Sequence, residues 1–132
     1  MRHPALGKWE KRLKELLDRV DDYLETAYGD LYPLHPSRKK RGATANKEHD
    51  GLFDVGSSFT PGFGSDRGRG YVVTVTLVTL ARVPADVVQK IEEDAIRLIK
   101  ERLPEYFPER SLAVVKDGHL IKIIGDLSLG EA

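Results

Sequence analysis

Between Tyr71 and Ile124 the apolar residues change period twice, and few folds accommodate that. Residues 71–82 alternate, with Tyr71, Val73, Val75 and Leu77 on one face and Val72, Thr74, Thr76 and Val78 on the other. A period of two with many β-branched residues predicts a strand. Over 84–103 the period becomes helical: Val87, Val88, Ile91, Ala95, Leu98, Ile99 and Leu103 form one stripe. Pro84 is expected to open this helix and Pro104 to close it, with Asp86 near the start and Arg97, Lys100 and Arg102 near the end suiting the helix dipole. Alternation then returns in 111–116 and 119–124, either side of Asp117-Gly118. That dipeptide predicts a hairpin with a type I′ turn, which needs positive φ at both central residues. Tyr106 and Phe107 are expected to anchor the connection into the hairpin. The strand–helix–strand portion is expected to cross over right-handedly.

A second helix is predicted over 4–28, with Pro4 at its first position and Gly29 just past its end. Leu6, Trp9, Leu13, Leu16, Val20, Tyr23 and Ala27 recur in alternating steps of three and four, and Leu17 and Leu24 widen the stripe. Such a stripe must be buried, either in the chain's own core or against a second helix from another copy. The expected fold is α+β, a small mixed or antiparallel sheet of three to four strands covered on one face by two helices. The expected order is helix 4–28, a Gly/Pro-rich loop 29–70, strand–helix–hairpin 71–124 and a tail 125–132, in a single domain 1–132. No internal repeat is legible.

Residues 29–70 carry no helical period and hold 8 of the 12 glycines and 3 of the 7 prolines. One short strand is expected inside them, at Leu52–Val55. An unstructured loop of this length is uncommon in a compact domain unless it is functional or disordered. The segment is also the electropositive part of the chain. Residues 31–70 carry 7 basic and 4 acidic side chains, whereas the whole chain balances 21 against 21.

Two stretches of this segment carry the chemistry. Gly56–Gly70 interleaves glycine with Ser65, Phe63, Arg67, Gly68, Arg69 and Gly70. Glycines let backbone N–H groups form an anion nest, arginines grip phosphate or carboxylate bidentately, and aromatics stack on bases. Arg38, Lys39, Lys40 and Arg41 form a run expected to add phosphate contacts. Nucleotide-binding fingerprints do not fit, because these glycines precede a strand and no P-loop lysine is in place. His49, Asp50 and Asp54 are the candidates for acid–base work, but their spacing matches no defined metal or catalytic motif. Ser37 to Lys40 matches Ser-x-x-Lys without any partner motif. No metal site and no cofactor is expected.

Composition narrows the classes. With no cysteine, disulfides and thiol chemistry are excluded. No run of residues is apolar enough to span a membrane, and Met1-Arg2-His3-Pro4 lacks an apolar leader core, so the expected address is cytoplasmic. One Asn, one Gln and 32% charged residues match the hyperthermophile pattern, and a thermophilic source is expected.

Three functions are compatible with these residues. The leading one is a non-enzymatic domain binding an anion or single-stranded RNA or DNA through 56–70. The second is an enzyme on a small phosphorylated or carboxylated substrate, with Arg67 and Arg69 holding the anion and His49 with Asp50 or Asp54 moving the proton. The third is an oligomeric interaction module, most simply a homodimer, using the 4–28 stripe and a sheet edge.

Overall fold

In the computed structural model, which describes residues 4–60, 70–108 and 111–125, the chain runs helix–strand–strand twice. The elements are α1 (Pro4–Tyr28), β1 (Phe53–Thr60), β2 (Gly70–Leu77), α2 (Ala85–Tyr106), β3 (Leu112–Asp117) and β4 (Leu120–Gly125). The four strands form one antiparallel sheet in the order β1-β2-β4-β3. Each helix–hairpin unit thus supplies one central and one edge strand. The units meet along β2 and β4, with Tyr71 opposite Ile123 and Val73 opposite Ile121. The repetition is masked in the sequence because one helix–strand connection is residues 29–52 and the other only 107–111.

Both helices lie on one face of the sheet. α1 packs on β1, α2 on β3, and the helices on each other. From α1 the core takes Trp9, Leu13, Leu16, Leu17, Val20 and Leu24, and from α2 Ile91, Ala95, Leu98, Ile99 and Leu103. The apolar stripe of α1 is therefore consumed inside the chain. Tyr23, on the predicted stripe, is instead 38% exposed. Phe107 is the expected anchor: it is buried, with its ring centroid 4.1 Å from that of Trp9. The sheet contributes Phe53, Val55, Tyr71, Val73, Val114, Ile121 and Ile123, while Thr74 and Thr76 are exposed on the far face, as alternation predicts.

Four local expectations are corrected. The stretch around 52–55 is not a short strand but the start of an eight-residue one, so Gly56–Phe59 lie in the sheet and not in a loop. Glycine and serine have little β-propensity, and the pairing with β2 imposes the strand. Gly70 likewise belongs to a central strand and is buried between Thr60 and Ile124; an added Cβ would stand 2.6 Å from the Ile123 carbonyl oxygen. Its lack of a side chain serves strand packing. α2 continues past Pro104 to Tyr106, closed by Phe107 N–H donating to the Leu103 carbonyl at 2.8 Å. Proline removes the donor to the preceding turn but not this last bond. Finally, the two-residue hairpin loop is Gly118-His119, since Asp117 pairs with Leu120. Only Gly118 has positive φ (+64°), which fits a type II′ turn with glycine first.

Candidate functional site

The connection from α1 to β1 is ordered by polar contacts, which leave no period in a sequence. Arg38 donates to three backbone carbonyls, Nε to Gly51 at 3.0 Å and Nη2 to Asp50 at 2.9 Å and Phe53 at 2.7 Å. Arg41 lies among carboxylates: Nη2 is 2.7 Å from Asp22, and Nη1 is 2.8 Å from Asp21 and 3.2 Å from Asp50. Nη1 also donates to the Lys47 carbonyl at 2.9 Å. Asp50 is buried and accepts the N–H groups of Gly42 at 3.0 Å and Thr44 at 3.1 Å. Burial pushes the Asp50 carboxyl up, but the bonds from Thr44 and Gly42, with the charge of Arg41, outweigh it and hold the group below its ordinary value. An acid held ionised by fixed donors is a structural acceptor and a poor proton shuttle.

The opposite wall is α1. Asp18, Asp21, Asp22 and Glu25 are spaced to share one flank of that helix. Asp22 receives Arg41 and, at 2.9 Å, Lys47. Burial opposes its charge, yet the bonds from Lys47 and Arg41 prevail and lower its pKa. Asp21 is the exception. It is 1% exposed, and Arg41 stands near it without hydrogen-bond alignment, so neither oxygen has a hydrogen-bond partner among the described residues. Burial pushes this carboxyl up to about 7, against the pull of Arg41 and with help from Glu25, Asp22 and Asp18.

Between α1 and the connection lies a cleft of about 780 Å³, lined on one side by Asp22, Glu25, Thr26 and Gly29. Asp30, Leu31 and Tyr32 form its lip, and Lys40, Arg41 and Gly51 the other side. Glu25 is pinned at its floor by accepting Phe53 N–H at 2.8 Å. Lys40 and Asp30 are exposed, and neither side chain has a charge partner among the described residues. Leu31 is 51% exposed at the same lip.

The sequence-derived candidates therefore separate. Arg38 and Arg41 of the basic run are internal staples, and only Lys39 and Lys40 are exposed. Lys40 joins Arg41 and the α1 carboxylates in the cleft. His49 is exposed in the Lys47–His49 turn and forms no side-chain bond with Asp50 or Asp54. Asp54 pairs across from Thr76 on the sheet face away from the helices, so the proposed His49, Asp50 and Asp54 group is not assembled. His119 stands 3.3 Å from the buried Glu92, and His35 accepts Ser37 N–H at 3.0 Å. Phe63, Ser65, Arg67, Gly68 and Arg69 lie outside the described residues. Asp22, Glu25, Asp30 and Tyr32 were not singled out. Their signal was an acidic flank on 18–25 facing a basic run at 38–41, which only the fold brings together.

Among the described residues no group of acidic, histidine or cysteine side chains is placed to hold a metal ion, and no helix is long and apolar enough to cross a membrane. A family model described as "Uncharacterised protein" matches residues 4–125, from the first residue of α1 to the last of β4. A Borreliella burgdorferi protein, also described as uncharacterised, is 42% identical over 119 residues, covering 90% of this chain and 93% of the relative. No solved structure matches.

Proposed function

The chain belongs to the family described as "Uncharacterised protein", and we propose that it is a non-enzymatic binding domain whose cleft between α1 and the 29–52 connection takes a small zwitterionic molecule of the amino-acid type. The observation that carries this reading is the pairing of Lys40 with Asp30. They are opposite in charge, line one cleft and have no charge partner among the described residues. Lys40 meets the carboxylate of the ligand, Asp30 its ammonium group, and Leu31 with Tyr32 its apolar side chain. A volume of about 780 Å³ is in the range of small-molecule sites. A simple anion is disfavoured, because Asp22, Glu25 and Asp30 outnumber the two cations of the lining.

Catalysis is not part of this reading. Asp22 and Asp50 are held ionised by fixed donors, and the exposed His49 side chain bonds to neither among the described residues. The rival is single-stranded RNA bound through Arg67 and Arg69.

Calorimetry with an amino-acid panel, acetate and methylamine separates the two. The proposal predicts heat with one or more amino acids, none with acetate or methylamine, and affinity weakened about tenfold in Lys40→Ala and in Asp30→Ala. Silence across the panel, with salt-sensitive RNA binding lost in Arg67→Ala/Arg69→Ala, assigns the chain to the rival.

A further inference from the structure

We propose that β1 is the seam of a homodimer, in which two copies pair antiparallel about Ser57 to make one continuous eight-stranded sheet. This inference is independent of the cleft. Among the described residues β1 is an edge strand, paired only with β2. The direction of its backbone groups follows from its first residue. Phe53 N–H donates to Glu25 and its carbonyl accepts from Arg38, so both groups face away from β2. Because the ladder is unbroken from Phe53 to Thr60, Val55, Ser57 and Phe59 also turn their N–H and carbonyl groups outward. None of these groups has a partner among the described residues.

Glu25 and Arg38 cap the open edge at Phe53, which leaves three outward residues with Ser57 at their centre. An antiparallel second copy matches this set without overhang: Val55 faces the second copy's Phe59, and the two Ser57 residues face each other. Six backbone hydrogen bonds result. Gly56, Ser57 and Ser58 offer no bulk or charge to keep the strands apart. The other edge, β3, carries Lys116 and Asp117, the usual guards of an exposed edge.

Side chains favour a second copy over a foreign strand. Phe59 is 52% exposed, although its ring contacts Tyr71. Beside the edge runs a groove of about 270 Å³ between α1 and β1, floored by Leu13 and Leu17 and flanked by Glu10 and Lys14. Pairing about Ser57 carries each Phe59 ring to Val55 and the groove of the other copy, an isologous exchange. Glu10 and Lys14 are opposite in sign, so the two grooves bring no net charge to the seam.

Sedimentation equilibrium of the full chain tests this. A single chain is 14.8 kDa, and the wild type is expected at twice that mass. Ser57→Pro removes the central outward donor without costing a bond to β2. Ser57→Lys sets two like charges against each other. Both are expected at the single-chain mass with wild-type circular dichroism, and Ser57→Lys decides if Ser57→Pro fails to fold. A wild type that stays at the single-chain mass at every concentration overturns the proposal. A dimer that folded Ser57→Lys leaves intact also overturns it.

Discussion

Gly51 takes φ +74° directly beneath the carboxylate of Glu25, so closely that a Cβ on residue 51 would overlap it. The contact fixes both walls of the cleft. Glu25 is held by Phe53 N–H, and Gly51 N–H donates to the Lys39 carbonyl at 2.9 Å. Neither partner is free to withdraw. Gly51→Ala therefore meets both an unfavourable backbone region and a steric conflict, and is expected to cost about 1–3 kcal/mol. Urea unfolding measures it. A loss below about 0.5 kcal/mol, the range of an ordinary surface change, would mean that the walls separate easily.

Adjacent cations of the basic run are expected to behave differently. Arg41→Ala leaves the buried Asp21 and Asp50 without their guanidinium and is expected to cost about 3–5 kcal/mol. Lys40→Ala removes an exposed charge with no partner among the described residues and is expected to stay within about 0.5 kcal/mol. Parallel denaturation curves report the contrast, and equal losses would contradict the assignment of Arg41 as a staple.

Asp21 sets a pH dependence. Burial raises its pKa from the ordinary 3.8 to about 7, so the folded chain binds a proton there that the unfolded chain releases. Stability from this group is greatest below pH 4, falls as pH rises towards 7 and is flat above that. Urea midpoints across this window should decline in the wild type with a component absent from Asp21→Asn. Identical profiles would contradict the burial of an acid that lacks hydrogen-bond partners.

The helices are clamped where α1 ends. Tyr28 Oη donates to Asp94 on α2, whose other oxygen accepts from Arg97 at 3.1 Å, and Arg97 in turn donates to Tyr23 Oη at 3.1 Å. The bond to Asp94, then burial, pushes the Tyr28 phenol up to about 12. Ultraviolet titration should show one tyrosine ionising late in the wild type and missing from Tyr28→Phe. That variant is expected to lose about 1–2 kcal/mol.

The legible parts of the fold were those with a repeating period. The stripes of α1 and α2 and the alternation of β2, β3 and β4 follow from burying one face of each element, and the core sits on those faces, with Tyr23 and Ala27 of the α1 stripe exposed instead. β1 was only partly legible because Gly56, Ser57 and Ser58 carry no β-signal and are held by their neighbours in the sheet. The α1–β1 connection was opaque for another reason. Its order comes from Arg38, Arg41 and Asp50 contacting carbonyls and carboxylates distant in sequence, and such contacts leave no spacing to read. The basic run was visible, but which of its members turn inward was decided by the acidic flank of α1. The charge pair Asp30 and Lys40 became visible only when the fold closed the cleft.

The most direct test of the cleft is an NMR titration of the full chain with the amino-acid panel, following every backbone amide. The account predicts saturable shifts concentrated at Asp30–Tyr32 and Lys40–Gly42, absent in Lys40→Ala and in Asp30→Ala. Shifts that cluster elsewhere, or none at any amino-acid concentration, would contradict it.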